Sequence, residues 1–546
     1  MSRDERFEAS KIWPSIRIPD ILYRMALLVL LAALGWNVFA FASYALDAIS
    51  YPYELDYGEG TVWRQMAALA SSEMYSDFNA YPYLVFHYTP IYHGVTFLTS
   101  EVLGNPLATG RIVSLLASLG YAALIGFVVH QAVAPETPRW TRMAGSLGAP
   151  LVLFTFMPVF SWAPLMHVDM LALFFEMAGI ALFLLSLKRP RLFYVAAIVF
   201  VLAVYTKQSF ISGAFACFAV SLALRPGLTI RALALAVVLG GGVLIGFSIA
   251  TGGEFTRHIF QYNINRVQWV NVSVLVRFLD RHFIMLVIAG VGVLLVAIRF
   301  GARQTAKGPR ALRVTVRDQP DAAARLTALI YLSVTAFLTL GILKSGASIN
   351  YLIPLAGACT IMFGLFTVEL LSITTAGNVR SKVMASVVCL MSVWQVYANS
   401  AYWEHLPSPE RQRAAQQVVD KIRHLSGPIW SEEMTLTMLA GKNAIAESAI
   451  VTDLAIQGVW DQGPFLDLFR TRTFDVVVIK SLQQFERLAH GQQEHPTRFT
   501  PELRAAIADS YPVVEAIGEY RLYYPPPPGP HGVAARFHHT NSQKRP

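Results

Sequence analysis

The sequence predicts a polytopic α-helical membrane protein of about eleven transmembrane helices, followed by a small C-terminal extracytoplasmic α/β domain. Three observations predict it. Hydrophobic residues are 54 % of the 546 and charged residues only 14 %, with mean hydropathy +0.46, whereas soluble domains carry about 25 % charged residues. The apolar residues are gathered into runs near the roughly 20 that cross a bilayer core. The charges are segregated: residues 1–403 hold 29 basic and 19 acidic side chains, residues 404–546 hold 15 and 16. The same figures exclude disorder, a coiled coil and a collagen-like rod. The basic excess lies in the membrane part, where it reads as topology, so no nucleic-acid partner is expected.

Residues 1–20 read as a cytoplasmic segment. The first apolar run, Ile21 to Leu46, is too long for a cleaved leader and reads as a retained signal anchor. Ten more runs follow, at 107–131, 143–163, 167–187, 191–206, 208–224, 230–250, 283–299, 326–343, 351–371 and 383–401. The runs at 191–206 and 208–224 abut at Thr206-Lys207-Gln208 and read either as two short spans or as one broken span. With a cytoplasmic N-terminus, the inside segments carry 21 Lys/Arg, and outer loop 47–106 carries one, Arg64, against seven acidic residues. This bias places 404–546 outside. There, Pro409–Leu425 has helical spacing, Pro428–Ser431, Phe474–Lys480 and Tyr520–Tyr524 read as strands, and 526–546 reads as a disordered tail. The expected domains are therefore a transmembrane domain at 21–403 and an α/β domain at 404–525. The three cysteines lie in apolar runs and give no disulfide framework. Gly240-Gly241-Gly242 reads as a close helix contact.

The first outer loop carries the densest chemistry. Glu54, Asp56 and Glu59 fall within six residues at the end of the first span, beside Gly58 and Gly60. Carboxylates at a membrane boundary can act as a general base or hold a divalent cation; a solvated acidic loop is the plainer alternative. Tyr81-Pro82-Tyr83 and the run from His87 to His93, with Tyr88 and Tyr92, read as an interfacial aromatic belt or as a cavity wall. His167 and Asp169 open the fourth span, where a carboxylate is either functional or a helix N-terminal charge. Lys207 is placed to neutralise a phosphate or to snorkel, and Arg111 and Lys344 are similar. Arg257, His258, Arg266, Arg277 and Arg281 occupy outer loop 251–282 against the topological bias, which points to an anionic ligand or to lipid headgroups. Glu176 and Glu369 read as pairing inside the bundle. No zinc-type spacing, phosphate loop or dinucleotide fingerprint is present.

In this order the motifs resemble the GT-C superfamily, membrane glycosyltransferases such as protein O-mannosyltransferases and the lipid A aminoarabinose transferase, and their bacterial relatives. The resemblance rests on Tyr53-Glu54-Leu55-Asp56-Tyr57-Gly58-Glu59-Gly60, Tyr88 to Tyr92, Gly110-Arg111, His167 to Ala172, Tyr205-Thr206-Lys207-Gln208-Ser209, Asn350-Tyr351, Ser431-Glu432-Glu433 through Gly441-Lys442, and Phe474-Asp475. It covers most of 21–480. It departs at one point: better-known members have adjacent Asp-Glu in the first loop, whereas Tyr57 and Gly58 separate Asp56 from Glu59 here.

The resemblance implies an inverting transfer, at the outer face of a bacterial inner membrane, of a sugar from a polyprenyl-phosphate donor to a hydroxyl on a glycolipid, polysaccharide or protein. It implies Asp56 as base, with Glu59 and then Glu54 as alternatives. Lys207, with Arg111 or Arg266, would hold the phosphate, and Asp169, His167, Tyr88, Tyr92, Asn350 and Tyr351 would line the substrate site. No cofactor is required, and the three carboxylates permit a divalent cation. The rival reading is a transporter or lipid flippase, which commonly shows two related halves; the sequence shows no internal repeat.

Overall fold

The computed structural model describes residues 18–71, 73–304, 319–375, 377, 379–480 and 498–527. Residues 1–17 of the expected cytoplasmic segment, and the expected tail from residue 528, lie outside the described residues. The chain forms two compact units, 1–71 with 86–406, and 72–85 with 407–546.

The first unit is helical, and each of the eleven apolar runs falls on helix. The helices are α1 (Ile18–Ser50), α2 (Gly58–Ala67), α3 (Ile91–Leu103), α4 (Pro106–Ala132), α5 (Arg139–Leu153), α6 (Met157–Trp162), α7 (Asp169–Ser186), α8 (Leu192–Thr206), α9 (Ser212–Leu224), α10 (Pro226–Ala250), α11 (Glu254–Phe260), α12 (Val272–Arg281), α13 (Phe283–Gln304), α14 (Pro320–Leu338), α15 (Ile353–Thr375) and α16 (Val379–Ser400). Among the described residues, seven helical segments are long and apolar enough to cross a membrane; the pair Trp269–Arg281 and Phe283–Ile298, bent by 77°, is a broken span, which would be an eighth, or a re-entrant loop. The remaining three runs fall short: α5 and α8 have 15 residues and α9 has 13. Fifteen residues rise about 22 Å, less than the roughly 30 Å hydrocarbon core. The open question at 191–224 resolves as two separate short helices.

Two breaks shape the bundle, and in each the freed backbone groups are met by side chains of other helices, as an apolar surrounding requires. The predicted span 143–163 ends α5 at Leu153 and restarts as α6. Asn37 of α1 donates to the Phe154 carbonyl at 3.0 Å, Asn399 of α16 donates to that of Thr155 at 3.1 Å, and His282 Nε2 accepts from the Met157 N–H at 3.2 Å. At the second break, 207–211, Glu176 of α7 accepts the Gly213 N–H at 2.8 Å and the Tyr331 hydroxyl at 3.3 Å. Glu176 thus pairs inside the bundle and closes the start of α9.

The expectation of a close helix contact at Gly240-Gly241-Gly242 holds for the first glycine alone. A Cβ on Gly240 would lie 3.9 Å from Val201 and Tyr205 of α8, and the Gly240 carbonyl accepts the Tyr205 hydroxyl at 2.5 Å. Gly241 and Gly242 face open space on α10, whose apolar stretch is only 6 % buried.

The second unit contains a four-stranded sheet in the order β1-β2-β4-β3, with β1 Ile429–Ser431, β2 Val476–Ile479, β3 Val513–Ile517 and β4 Tyr520–Tyr524. β1 and β2 are parallel, with Ile429 opposite Val476; β2 and β4 are antiparallel, with Val478 opposite Leu522. The predicted helix is present at Pro409–Arg423, with Val418 and Ile422 buried. β3 was not legible, because none of its five residues is buried and the apolar signature of a covered strand is missing. The stretch 72–85 also packs here: Phe78 and Tyr83 lie 4.8 and 5.7 Å from the Trp460 ring. The core is aromatic, with Trp430 only 1 % exposed and its ring 5.4 Å from Phe469 and 6.4 Å from Phe499. Trp430→Ala should destabilise this unit by about 3–5 kcal/mol. The check is faster limited proteolysis between residues 407 and 527 of the full chain in detergent; wild-type protection would show that the cluster does not hold the unit.

Candidate active site

The site begins where α1 stops. The Tyr51 N–H bonds back to the Asp47 carbonyl at 3.0 Å, and the chain then turns through 52–57 into α2. This turn is held by Arg111, near the start of α4. A guanidinium has five N–H donors, and all five are used. Nε donates to Glu59 Oε1 at 2.8 Å and Nη2 to Glu59 Oε2 at 2.7 Å. Nη1 reaches the carbonyls of Ala48 (2.5 Å) and Tyr51 (2.6 Å), and Nη2 also that of Tyr53 (2.6 Å). Glu59 is equally committed, accepting the Leu55 N–H at 2.7 Å and the Met166 N–H at 2.8 Å. Neither side chain is exposed. Burial pushes the Glu59 pKa up, but the adjacent charge and hydrogen bonds of Arg111 outweigh it and hold the carboxyl below the usual range.

This geometry corrects two readings. Arg111 has no N–H left for a donor phosphate, and Glu59 has no lone pair left for an acceptor proton. Both are structural, joining the end of α1, the loop, α4 and the turn before α7. Tyr92 is likewise absorbed: its buried hydroxyl bonds to the Gly110 carbonyl and Ser114 Oγ, each at 2.9 Å. Gly110 allows the contact of α4 with the turn before α7, since a Cβ there would lie 2.3 Å from Met166 Cγ.

The clamp leaves Asp56 as the accessible carboxylate of the loop's central pair, with 34 % of its side chain exposed. Asp56 Oδ2 accepts the Gly58 N–H at 2.9 Å and lies 3.1 Å from His167 Nε2. The His167 ring stacks on Trp162, with centroids 4.3 Å apart and planes 13° from parallel. Trp162 Nε1 donates to Asp169 Oδ2 at 3.2 Å. The other oxygen, Oδ1, takes Lys207 Nζ at 2.6 Å and Asn350 Nδ2 at 3.1 Å. Lys207 is only 6 % exposed, and its ammonium lies 5.1 Å from the Tyr351 ring centroid and 5.7 Å from that of Tyr88. It ends α8 and Asp169 begins α7, so each charge sits at the helix end whose dipole favours it.

Asp56, His167, Asp169, Lys207, Tyr88, Asn350 and Tyr351 therefore form one contiguous constellation. Glu54 is buried in the same turn. Arg266 lies on a stretch stitched to the segment before Asn350, its carbonyl accepting the Ser345 N–H at 2.8 Å. Other basic residues of that loop are engaged: Arg257 pairs with Glu254 at 2.5 Å, Arg281 stacks 3.8 Å over Tyr402, and His258 Nδ1 accepts the Phe86 N–H at 3.2 Å. Tyr81 and Tyr83 belong to the other unit and not to this wall. Among the described residues, no group of three or more His, Cys, Asp or Glu side chains is arranged to hold a metal ion. Sequence reasoning missed Trp162, the bridge between His167 and Asp169; a tryptophan within an apolar run carries no signal of its own.

The arrangement combines a half-exposed carboxylate, a cation in an aromatic cage and a bundle of membrane-crossing helices. These define a polytopic membrane protein with a buried polar cluster among its helices. No protein-family model matches the chain, and no curated protein matches its sequence. Solved structures match its fold. ArnT from Cupriavidus metallidurans, bound to undecaprenyl phosphate, superposes with a TM-score of 0.52 at 14 % identity, covering 90 % of this chain and 98 % of that one. The apo oligosaccharyltransferase of Archaeoglobus fulgidus gives 0.51 at 10 % identity, covering 82 % of this chain and 70 % of that one. The archaeal oligosaccharyltransferase AglB from Archaeoglobus fulgidus, in complex with an inhibitory peptide and a dolichol-phosphate, gives 0.50 at 11 %, covering 89 % and 72 %. The chain has the GT-C fold.

Removing one partner of a buried pair typically costs about 3–5 kcal/mol, so Arg111→Ala should lower the melting temperature of the purified protein far more than Asp56→Asn does. Because the folded pKa of Glu59 is depressed, its contribution is full above the unfolded value of about 4.3 and is lost as pH falls through the folded value. Glu59→Gln should therefore flatten the acid limb of a stability–pH profile below about pH 4.3. At Gly58, a Cβ would stand 2.8 Å from His167 Cε1. Gly58→Ala should displace the imidazole from Asp56, shifting the pH profile of turnover while leaving the melting temperature nearly unchanged; an unaltered profile would show that the close approach is unimportant.

Proposed function

We propose that the protein transfers a sugar from a polyprenyl-phosphate donor to an acceptor hydroxyl on a glycolipid, polysaccharide or protein, at the extracytoplasmic face of a bacterial inner membrane, with inversion. One observation carries this reading: an accessible carboxylate, Asp56, shares a continuous network with a buried lysine at the end of a helix bundle. This supports a reading in which Asp56 acts as base and Lys207 as the phosphate-binding cation of one reacting centre. The fold supports it, since the similar structures include an oligosaccharyltransferase and complexes with undecaprenyl phosphate and a dolichol-phosphate.

In this mechanism the acceptor oxygen attacks the anomeric carbon as Asp56 takes its proton. The bond from that carbon to the phosphate oxygen breaks, and polyprenyl phosphate departs with the electron pair. A single displacement inverts the centre. His167, held flat on Trp162, orients the Asp56 carboxylate. Lys207, fixed by Asp169, stabilises the charge developing on the leaving phosphate, in a site shielded from water where such a charge acts strongly. Arg266 is the candidate for a second phosphate contact now that Arg111 is committed elsewhere. Tyr88 and Tyr351 flank the cation, and Tyr92 and Glu59 support the scaffold.

Proton removal by a positioned base contributes about 10²–10⁴-fold in rate. Asp56→Asn should fold and insert but lose turnover by about that factor. The measurement is mass spectrometry of polyprenyl-phosphate sugars in cells lacking the gene, complemented with wild type or Asp56→Asn. One donor should accumulate in the null and the Asp56→Asn strains and fall with wild type. An unchanged donor pool, with a working positive control, removes the transferase reading and favours transport.

A further inference from the structure

Three donors converge on Asp169: Lys207 Nζ, Trp162 Nε1 and Asn350 Nδ2. The third leaves a remainder. Asn350 is only 6 % exposed, and among the described residues no donor reaches its carbonyl oxygen, Oδ1. Nor does turning the amide over repair this. It would set the carbonyl oxygen against a carboxylate oxygen that already defines the position, so the orientation is fixed by Asp169. A buried acceptor without a donor is a costly state, and such groups in native structures call for an explanation. Here it stands beside the cation: Lys207 Nζ and Asn350 Nδ2 share one oxygen, so they lie less than about 6 Å apart.

We propose that Asn350 Oδ1 is a specificity element that accepts a hydrogen bond from the transferred sugar, and that the sugar therefore carries a hydroxyl or N–H donor on the carbon next to its anomeric phosphate. The proposal rests on the donor reading given above. A phosphate held by Lys207 would bring the anomeric carbon and its neighbour towards the Asn350 amide, which lies less than about 6 Å from the ammonium. The lysine supplies donors to the phosphate, and the asparagine supplies the complementary neutral acceptor to the sugar. Selection follows from the asymmetry of such contacts. A sugar with a donor at that carbon satisfies the buried oxygen, whereas a 2-deoxy sugar leaves it unpaired in the bound, water-excluded site. Sites built to bond a hydroxyl reject analogues lacking it far more strongly than apolar pockets reject a missing methylene.

The test uses the full chain in lipid nanodiscs with synthetic probes: farnesyl phosphate, its glucosyl, mannosyl and galactosyl esters, and the matching 2-deoxy esters. Leaving a buried acceptor unpaired predicts that at least one hydroxylated ester binds about 5- to 150-fold more tightly than its 2-deoxy partner. Asn350→Ala should erase that preference while farnesyl phosphate still binds. The wild-type comparison needs no variant, so it stands even if Asn350→Ala does not fold. Binding of farnesyl phosphate, lost in Lys207→Ala, with no preference between any ester and its 2-deoxy partner, overturns the proposal and leaves the donor reading intact. Equal loss of preference and of farnesyl phosphate binding in a well-folded Asn350→Ala also overturns it, by reducing Asn350 to a support for Lys207. Failure of every probe to bind wild type removes the donor reading, and the proposal with it.

Discussion

The Arg111–Glu59 pair is the interaction on which the site depends. It fixes no substrate and carries no proton, yet it binds four separate stretches of chain through two fully committed side chains. An isolated buried ion pair offsets its desolvation poorly. This one succeeds because every donor of Arg111 and every lone pair of Glu59 is satisfied, within the pair itself, by three carbonyls at and just after the end of α1, and by two N–H groups of neighbouring turns. The result is a rigid turn that holds Asp56 out of the core while its chain neighbours are locked into it.

The rest of the site is made by interruption. Helix α8 stops at Lys207, helix α5 stops at Leu153, and a short irregular segment precedes α7. In a bilayer such breaks survive only where protein groups take up the released backbone. Asn37, Asn399, His282 and Glu176 do so, and they account for much of the polarity within the spans. Polar residues in the bundle thus divide into those that allow a break and those that the break exposes for chemistry.

That division sets what the sequence could disclose. Each of the eleven runs that hydropathy marked falls on helix, because burial in lipid is written directly in composition, whereas α2, α3, α11 and α12 carried no such mark. The runs of α8 and α9 were legible as short, but that of α5 was not, since an apolar run does not record where its helix ends. Asp56, His167, Asp169 and Lys207 were conspicuous as charges at span boundaries, whereas Asn350 and Tyr351 emerged only through resemblance. Arg111 was misread because a boundary arginine looks the same whether it faces a lipid phosphate or a carboxylate 52 residues away. β3 escaped because its residues are not buried, and the allegiance of 72–85 to the second unit is a tertiary choice that no local pattern announces.

The short α8 has a further consequence. Its first turn follows the exposed cluster Lys188, Arg189 and Arg191, which suits a headgroup boundary. Fifteen residues later, about 22 Å along, the chain reaches Lys207, still several ångströms short of the far edge of a roughly 30 Å core. On an upright helix whose first turn meets the headgroups, the caged ammonium would lie beneath the level of the bulk headgroups. In the proposed transfer a lipid-borne phosphate would then descend to it, or the bilayer would thin around α8 and α9 to bring the surface down. Under that proposal the thickness of the surrounding lipid is itself a parameter, setting how far a carrier's head must travel while its hydrocarbon tail remains at home in the membrane.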